Sequence, residues 1–189
     1  MKSNYTSKQN LQRLTTAGVL AALSLVLMAT IRFPIFPNAA FYEMEFSDVP
    51  LLLSSTLLGP VYSILSLLVV CIIQAVTVSS GSGFIGFVMH FVSSSLTILV
   101  VWFVRKKLPG LKGVIVSSVL GVIVMTLIMI PMNMWMVSEF MGINIKGFVD
   151  GFLAVCVGFN LIKSTVNITI YSVLSPIIVK EFRKLFSKH

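Results

Sequence analysis

The strongest constraint on this chain is the number and length of its apolar runs. One run extends from Gly113 to Trp135 without a charged residue, and about 20 apolar residues are enough for a helix to cross a bilayer. Charged residues make up 11% of the chain, well below the roughly 25% of a soluble domain. These patterns predict an all-α, polytopic membrane protein rather than a soluble one.

We predict a single membrane domain over residues 1–189, built as a bundle of six transmembrane helices. The second helix is too short to cross a bilayer alone, because a spanning helix needs about 20 residues. The second and third spans therefore form either two helices or one bent element, and the latter would lower the count to five. The predicted spans are 11–31, 48–58, 61–77, 84–104, 113–135 and 151–179.

The charged residues favour six spans and orient them. Most of the 14 lysine and arginine residues lie before the first span, between the fourth and fifth, or after the sixth. Most of the six acidic residues lie on the opposite side. Because loops rich in lysine and arginine stay in the cytoplasm, we expect both termini there. The net charge of +8 then belongs to membrane-flanking segments and does not indicate binding to nucleic acid.

A polar stripe on the last predicted span includes a lysine. Lys163 lies about 18 Å along the helix from Gly151, and a lysine so deep in a membrane costs roughly 2.5–3.5 kcal/mol. We predict that the stripe lines a pocket in which the oxygens of Asn160 and Asn167 accept hydrogen bonds from the ammonium. The alternative is that these side chains bond to neighbouring helices. At helical spacing the stripe consists of Asn160, Lys163, Ser164, Asn167 and Tyr171.

Two other spans end near the same pocket in this topology. The fifth span runs outward to Asn133 and Trp135, and the sixth descends from that face toward Asn160 and Lys163. Methionine and tryptophan suit a flat aromatic ligand, with an aromatic belt at the membrane surface as the alternative. Gly83 begins a small and polar stripe on the fourth span, after a glycine- and serine-rich loop with exposed backbone donors.

The first external loop, residues 33–48, is rich in proline and aromatic residues. A connector without function is usually short and polar, so we interpret this loop as a lid over an outward-facing pocket. The alternative is again an interfacial aromatic belt.

Small residues four apart on the first span form a groove that another helix can approach closely. The two pairs are Ala17 with Ala21 and Gly18 with Ala22. Their spacing does not distinguish packing against a partner protein from packing inside the bundle.

The chain lacks the motifs of several functional classes. It has no nucleophile elbow, no histidine–glutamate metal motif and no ATP-binding motif, so we predict neither catalytic nor metal-binding residues. His90 lacks neighbours at metal-ligand spacing and is interpreted as structural. No carboxylate is expected inside the membrane and no internal repeat is visible, which disfavours a self-sufficient secondary transporter. Cys71 and Cys156 lie in apolar runs and are predicted to be buried thiols.

Several of these features occur together in one family. The helix with Ala17-x-x-x-Ala21 follows a basic N-terminus, and the last span carries Asn160-Leu161-Ile162-Lys163. After the aromatic loop come Ser47-Asp48-Val49-Pro50-Leu51-Leu52-Leu53 and Leu58-Gly59-Pro60. Over nearly its whole length the chain resembles the substrate-binding S components of energy-coupling factor (ECF) vitamin transporters. Within that family it looks most like the riboflavin-specific subunit.

The resemblance implies a function and a set of partners. Such a subunit binds riboflavin near the external face of the bacterial plasma membrane and delivers it with a transmembrane coupling subunit and two ATP-binding subunits. Another vitamin, such as thiamine or biotin, is the alternative ligand, and no cofactor is implied. The face of Ala17 and Ala21, to which Gly18 and Ala22 are adjacent, is implied to meet the coupling subunit. Ligand contacts are implied for Phe41, Tyr42, Met44, Asn160, Lys163 and Asn167.

Overall fold

The structure is a computed structural model that describes residues 2–39, 42–77 and 83–187. Within these ranges the chain forms seven α-helices and one two-stranded sheet, which lies between the first two helices. The helices are α1 Lys2–Thr30, α2 Asp48–Leu58, α3 Pro60–Val76, α4 Gly83–Lys107, α5 Gly110–Met141, α6 Ile145–Gly151 and α7 Leu153–Ser187.

The short helix α2 lies at the centre of the bundle. It contacts α1, α3, α4 and α7, and every residue from Asp48 to Ser55 is buried. Leu51 and Leu52 pack into the main apolar core with Leu67 of α3. A helix that is apolar on all sides belongs in an interior, so hydropathy alone does not distinguish this core helix from a membrane span.

The connection between α2 and α3 is a single residue. Gly59 has a φ of +96°, a backbone conformation that favours glycine. Pro60 then occupies the start of α3, where its missing N–H leaves no hydrogen bond unmade. Because α2 and α3 pack against each other, this segment forms two helices and not one bent element.

Four helices of the described chain are long and apolar enough to cross a membrane, over residues 10–30, 83–107, 110–139 and 153–182. The apolar helices α2 and α3 are shorter. Val61, Leu65 and Val69 of α3 are each at least 50% exposed, as expected of side chains that contact lipid. The chain is therefore a helical, multi-pass membrane protein, while the count of six spans and the location of the termini stay predictions.

Two helix ends differ from their predicted positions because capping residues determine where these helices begin or end. The fifth span was expected to end at Trp135, but α5 continues until Gly142 ends it in the left-handed conformation, with φ +63°. The sixth span was expected to begin at Gly151, which instead ends the separate helix α6. Asn144 caps α6, since its side-chain oxygen accepts the Gly147 N–H at 2.9 Å. Hydropathy does not register such caps.

The segment between α1 and α2 folds back over one end of the bundle. Its strands β1 (Phe33–Pro34) and β2 (Glu43–Met44) pair antiparallel, and the side chains of Arg32 and Glu43 form an ion pair. We call residues 33–39 and 42–46 the lid loop. The loop joins α5, α6 and α7 in a second apolar cluster, whose buried members are Ala39, Tyr42, Val137, Phe148, Cys156 and Phe159.

Candidate functional site

Lys163 of α7 is buried and forms an ion pair that the sequence did not predict. Its Nζ lies 2.6 Å from Glu45 Oε1, and the two side chains are 13% and 8% exposed. The predicted acceptors do not hold the ammonium, because in the described structure the side-chain oxygens of Asn160 and Asn167 have no hydrogen-bond partner. That prediction is wrong for a physical reason: a buried cation is stabilised best by a paired opposite charge.

Glu45 joins the lid loop to the helices. Its Oε2 accepts the backbone N–H of Ser47 at 2.7 Å, and its backbone oxygen accepts from Asn167 Nδ2 at 3.0 Å. Sequence reasoning missed Glu45, because an acidic residue in an external loop is expected to face water. The available signal was its position three residues before Asp48, at the start of a helix that is otherwise uncharged.

A second buried acid, Asp48, begins α2. Its Oδ1 accepts from the Ser94 hydroxyl at 2.6 Å and lies 3.5 Å from His90 Nε2. The other ring nitrogen of His90, Nδ1, is hydrogen-bonded to Gln74 Oε1 of α3. The sequence did not predict these two buried carboxylates, which the lid loop and the first turn of α2 bring into the bundle. We call Glu45, Asp48, His90 and Lys163 the charged cluster.

Three asparagines, Asn133, Asn160 and Asn167, share one arrangement. Each side-chain amide donates to the backbone carbonyl oxygen four residues earlier, at 2.8–3.0 Å. Each Oδ1 is buried and lacks a hydrogen-bond partner in the described structure. An unpaired buried acceptor costs about 1–3 kcal/mol, so the three oxygens are suited to a ligand that brings hydrogen-bond donors.

A small cavity adjoins the charged cluster between α2, α4, α5 and α7. It has room for about one water molecule. Its wall contains both polar and apolar side chains: Asp48, Leu52, Ser94, Thr97, Ile98, Met125, Ser164, Asn167 and Ile168.

The lid loop supplies an aromatic surface next to the asparagines. The Tyr42 ring stacks on Phe159, the residue before Asn160, with centroids 4.9 Å apart and an interplanar angle of 27°. Burial raises the pKa of the Tyr42 phenol, which therefore stays neutral. Met44 is 3% exposed, so two of the predicted loop residues face the interior. The third, Phe41, lies outside the described residues.

For the predicted ligand contacts of Trp135 and Gly83, the structure shows only where each residue lies. Trp135 is half-buried and lies two positions beyond Asn133, about 200° around α5, so the two side chains point to different faces. Gly83 starts α4 with a φ of +46°. A ligand contact at Trp135 or Gly83 stays a prediction.

The two small-residue pairs of α1 face different surroundings. Ala17 and Ala21 are 5% and 7% exposed, and the Ser66 hydroxyl of α3 donates to the Ala17 carbonyl oxygen at 3.2 Å. Gly18 and Ala22 are exposed. The first pair packs within the bundle, and its contact with a partner stays a prediction. The second pair presents the surface that another helix can reach.

Comparison with known proteins gives consistent matches. The family model described as "ECF transporter, substrate-specific component" matches residues 12–179. The riboflavin transporter FmnP of Bacillus subtilis (strain 168) is 28% identical over 173 residues, which cover 86% of this chain and 90% of that protein. The riboflavin transporter RibU of Lactococcus lactis subsp. cremoris (strain NZ9000) is 31% identical over 126 residues, 66% of this chain and 61% of that protein.

A solved structure also resembles the chain along most of its length. It is described as "Structure and mechanism of the S component of a bacterial ECF transporter", and the two superimpose with a TM-score of 0.77 at 26% sequence identity. The match covers 91% of this chain and 97% of that one.

Proposed function

Because the chain belongs to the family of substrate-specific components of ECF transporters, we propose that it binds riboflavin and delivers it for uptake into the cell. Membership confirms the resemblance found in the sequence motifs, and the chain is a transport protein and not an enzyme. The choice of vitamin is supported by relatives that are named riboflavin transporters. The structural observation that carries it is a set of buried asparagine oxygens on α5 and α7 that have no hydrogen-bond partner in the described structure. Helix α7 also holds Lys163 and one ring of a stacked aromatic pair.

These groups match the chemistry of a flavin. A flat, conjugated ring gains from stacking on aromatic side chains such as Tyr42 and Phe159. The ring imide N–H and the sugar-chain hydroxyls are donors for the Oδ1 atoms of Asn133 and Asn160. A ring carbonyl is an acceptor for the Lys163 ammonium. Each of these contacts uses a group that is already buried, so little further desolvation is needed on the protein side.

Binding requires a change at the lid loop. A flavin is much larger than the cavity, which admits about one water molecule. The loop is held to the bundle by the Glu45–Lys163 pair, the bond from Asn167 to the Glu45 backbone and the Tyr42–Phe159 stack. We therefore assign the present structure to a closed form and propose that lifting the lid loop opens the pocket.

Delivery of the vitamin is proposed to need a transmembrane coupling subunit and two ATP-binding subunits in the bacterial plasma membrane. The sequence supplies no ATP-binding motif. The exposed Gly18–Ala22 surface of α1 supports a helix contact there. Ala22→Leu is expected to weaken co-purification with the coupling subunit while riboflavin binding by the isolated chain is kept. Unchanged co-purification would exclude this surface.

Ligand titration of the purified apoprotein tests the assignment. Riboflavin should quench the fluorescence of Trp135 and lose part of its own emission as it stacks in the pocket. Thiamine and biotin serve as competitors. If riboflavin changes neither signal and calorimetry shows no heat, or if one of the competitors displaces it at equal concentration, the vitamin assignment is wrong.

A further inference from the structure

The charged cluster places four ionisable groups where little water reaches them. Glu45, Asp48 and His90 are 6%, 7% and 8% exposed as whole residues, and the Lys163 side chain is 13% exposed. Burying a net charge is strongly unfavourable. Two carboxylates facing one ammonium leave one negative charge without a counterpart. The cluster therefore needs one further positive charge, which a proton on His90 or on one of the carboxyls supplies.

The His90 ring is positioned so that its protonated form supplies this positive charge. Its Nδ1 is hydrogen-bonded to Gln74 Oε1, and since a carbonyl oxygen only accepts, Nδ1 carries a proton. Its Nε2 lies 3.5 Å from Asp48 Oδ1 and has no hydrogen-bond partner within the described residues. The side chain of Cys71 on α3 also faces the ring. A neutral ring would direct the Nε2 lone pair at a carboxylate. A proton on Nε2 turns that repulsion into attraction.

We propose that His90 is an imidazolium that forms a second buried ion pair with Asp48, and that this pair neutralises the charged cluster and positions Lys163. Asp48 is oriented by the Ser94 hydroxyl of α4, so the pair links α2 to α4. Glu45 then remains available to hold Lys163 and the lid loop together. His90 and Asp48 are thus positioning residues, which act on the ligand through Lys163.

Two other sources of charge are less suited to the site. Arg32 and Glu43 of the lid hairpin pair with each other and add no net charge. Ligand atoms of Glu45, Asp48 and His90 lie within 4.8 Å of one another, a spacing that a metal ion can use. A divalent ion beside Lys163 would leave an excess of positive charge, whereas one proton on His90 balances the cluster.

The protonation state is tested without any ligand. The chain has two histidines, His90 and His189, so His189→Gln leaves a single imidazole for nitrogen NMR of histidine-labelled protein. In detergent at about neutral pH, where a free histidine is mostly neutral, both His90 nitrogens should give the signals of protonated nitrogen. One deprotonated nitrogen under these conditions overturns the proposal.

A double-mutant cycle tests the pairing. In the wild-type background, His90→Gln leaves the Asp48 carboxylate without its partner and is expected to weaken riboflavin binding about 10-fold. In the Asp48→Asn background that carboxylate is absent, so the same substitution should weaken binding only about 2-fold. A purely structural role for His90 predicts the same loss in both backgrounds, and that outcome rejects the pair.

The same four variants are melted without ligand, because the affinity measurement rests on the proposed function. The drop in melting temperature caused by His90→Gln should also be smaller in the Asp48→Asn background. If wild-type protein does not bind riboflavin, the proposed function fails while the melting and NMR results still decide on the ion pair. Additive melting effects together with a neutral His90 reject the ion pair whatever the ligand is.

Discussion

The two ends of the bundle differ in how their buried polar groups are hydrogen-bonded. The end beneath the lid loop holds the charged cluster and the unpaired asparagine oxygens. At the other end the Tyr171 hydroxyl is bonded to Thr56 Oγ1 at 2.7 Å and to Arg105 Nη1 at 2.8 Å. Arg105 Nη1 also donates to Ser175 Oγ at 2.7 Å. We call these four residues the tyrosine network.

The difference indicates which end recognises a ligand. The Tyr171 hydroxyl accepts from the guanidinium and shares a hydrogen bond with Thr56, so its bonding capacity is used within the protein. The network joins α2, α4 and α7 and needs nothing from outside. The lid end instead keeps acceptors that lower stability until something binds. Polar groups stabilise the bundle at one end, and we propose that they bind the ligand at the other.

Lys163→Met is expected to have the largest effect, because it removes a charge from the lid end. Loss of a charged hydrogen bond to the ligand should weaken riboflavin binding by about 10- to 100-fold. Glu45 is also left without its counter-ion, which should destabilise the apoprotein by about 3–5 kcal/mol. Calorimetry and thermal melting in detergent measure the two effects.

Two further variants separate the effects of Lys163→Met. Adding Glu45→Gln should restore stability but not affinity. Lys184→Met breaks the pair with Glu181, whose side chains are 57% and 59% exposed, and should change neither quantity. If the Lys163→Met, Glu45→Gln double variant binds riboflavin like the wild type, Lys163 has a structural role only.

The sequence predicted the helical class and the buried stripe of α7, because apolar runs and helical spacing are local properties. It could not predict the charged cluster. Glu45 and Asp48 face the interior only after the lid loop folds back onto α2, and no local pattern encodes that contact. The sequence placed Tyr171 in the same pocket as Lys163. Tyr171 follows Lys163 by eight residues, about 12 Å along the helix, and therefore belongs to the tyrosine network instead.

Asn160→Leu tests whether an unpaired asparagine oxygen at the lid end lowers the stability of the apoprotein but is needed for binding. Leucine has the same branching and the same number of heavy atoms, and it removes an acceptor that has no partner in the described structure, so the apoprotein should melt at the same or a higher temperature. Riboflavin binding should weaken about 10-fold, because a donor on the ligand then lacks its partner. The exposed Asn10 of α1 gives a control, and Asn10→Leu should leave affinity unchanged. A destabilised Asn160→Leu with normal affinity would contradict the distinction between the two ends.

Tyr171→Phe should have the smallest effect on binding, since it alters only the tyrosine network. The variant keeps the buried ring, with Arg105 Cζ 5.7 Å from its centroid, and removes the hydroxyl that Thr56 and Arg105 share. We expect a loss of about 1 kcal/mol in the free energy of unfolding and a change in riboflavin affinity of less than about 2-fold. Tyr62→Phe, at a half-buried position of α3, is the matched control and should affect neither. Chemical unfolding measures the stability of both variants, and calorimetry measures their affinity for riboflavin. A tenfold loss of affinity in Tyr171→Phe would mean that the network holds α7 in register for Lys163, and the two ends would then be one coupled site.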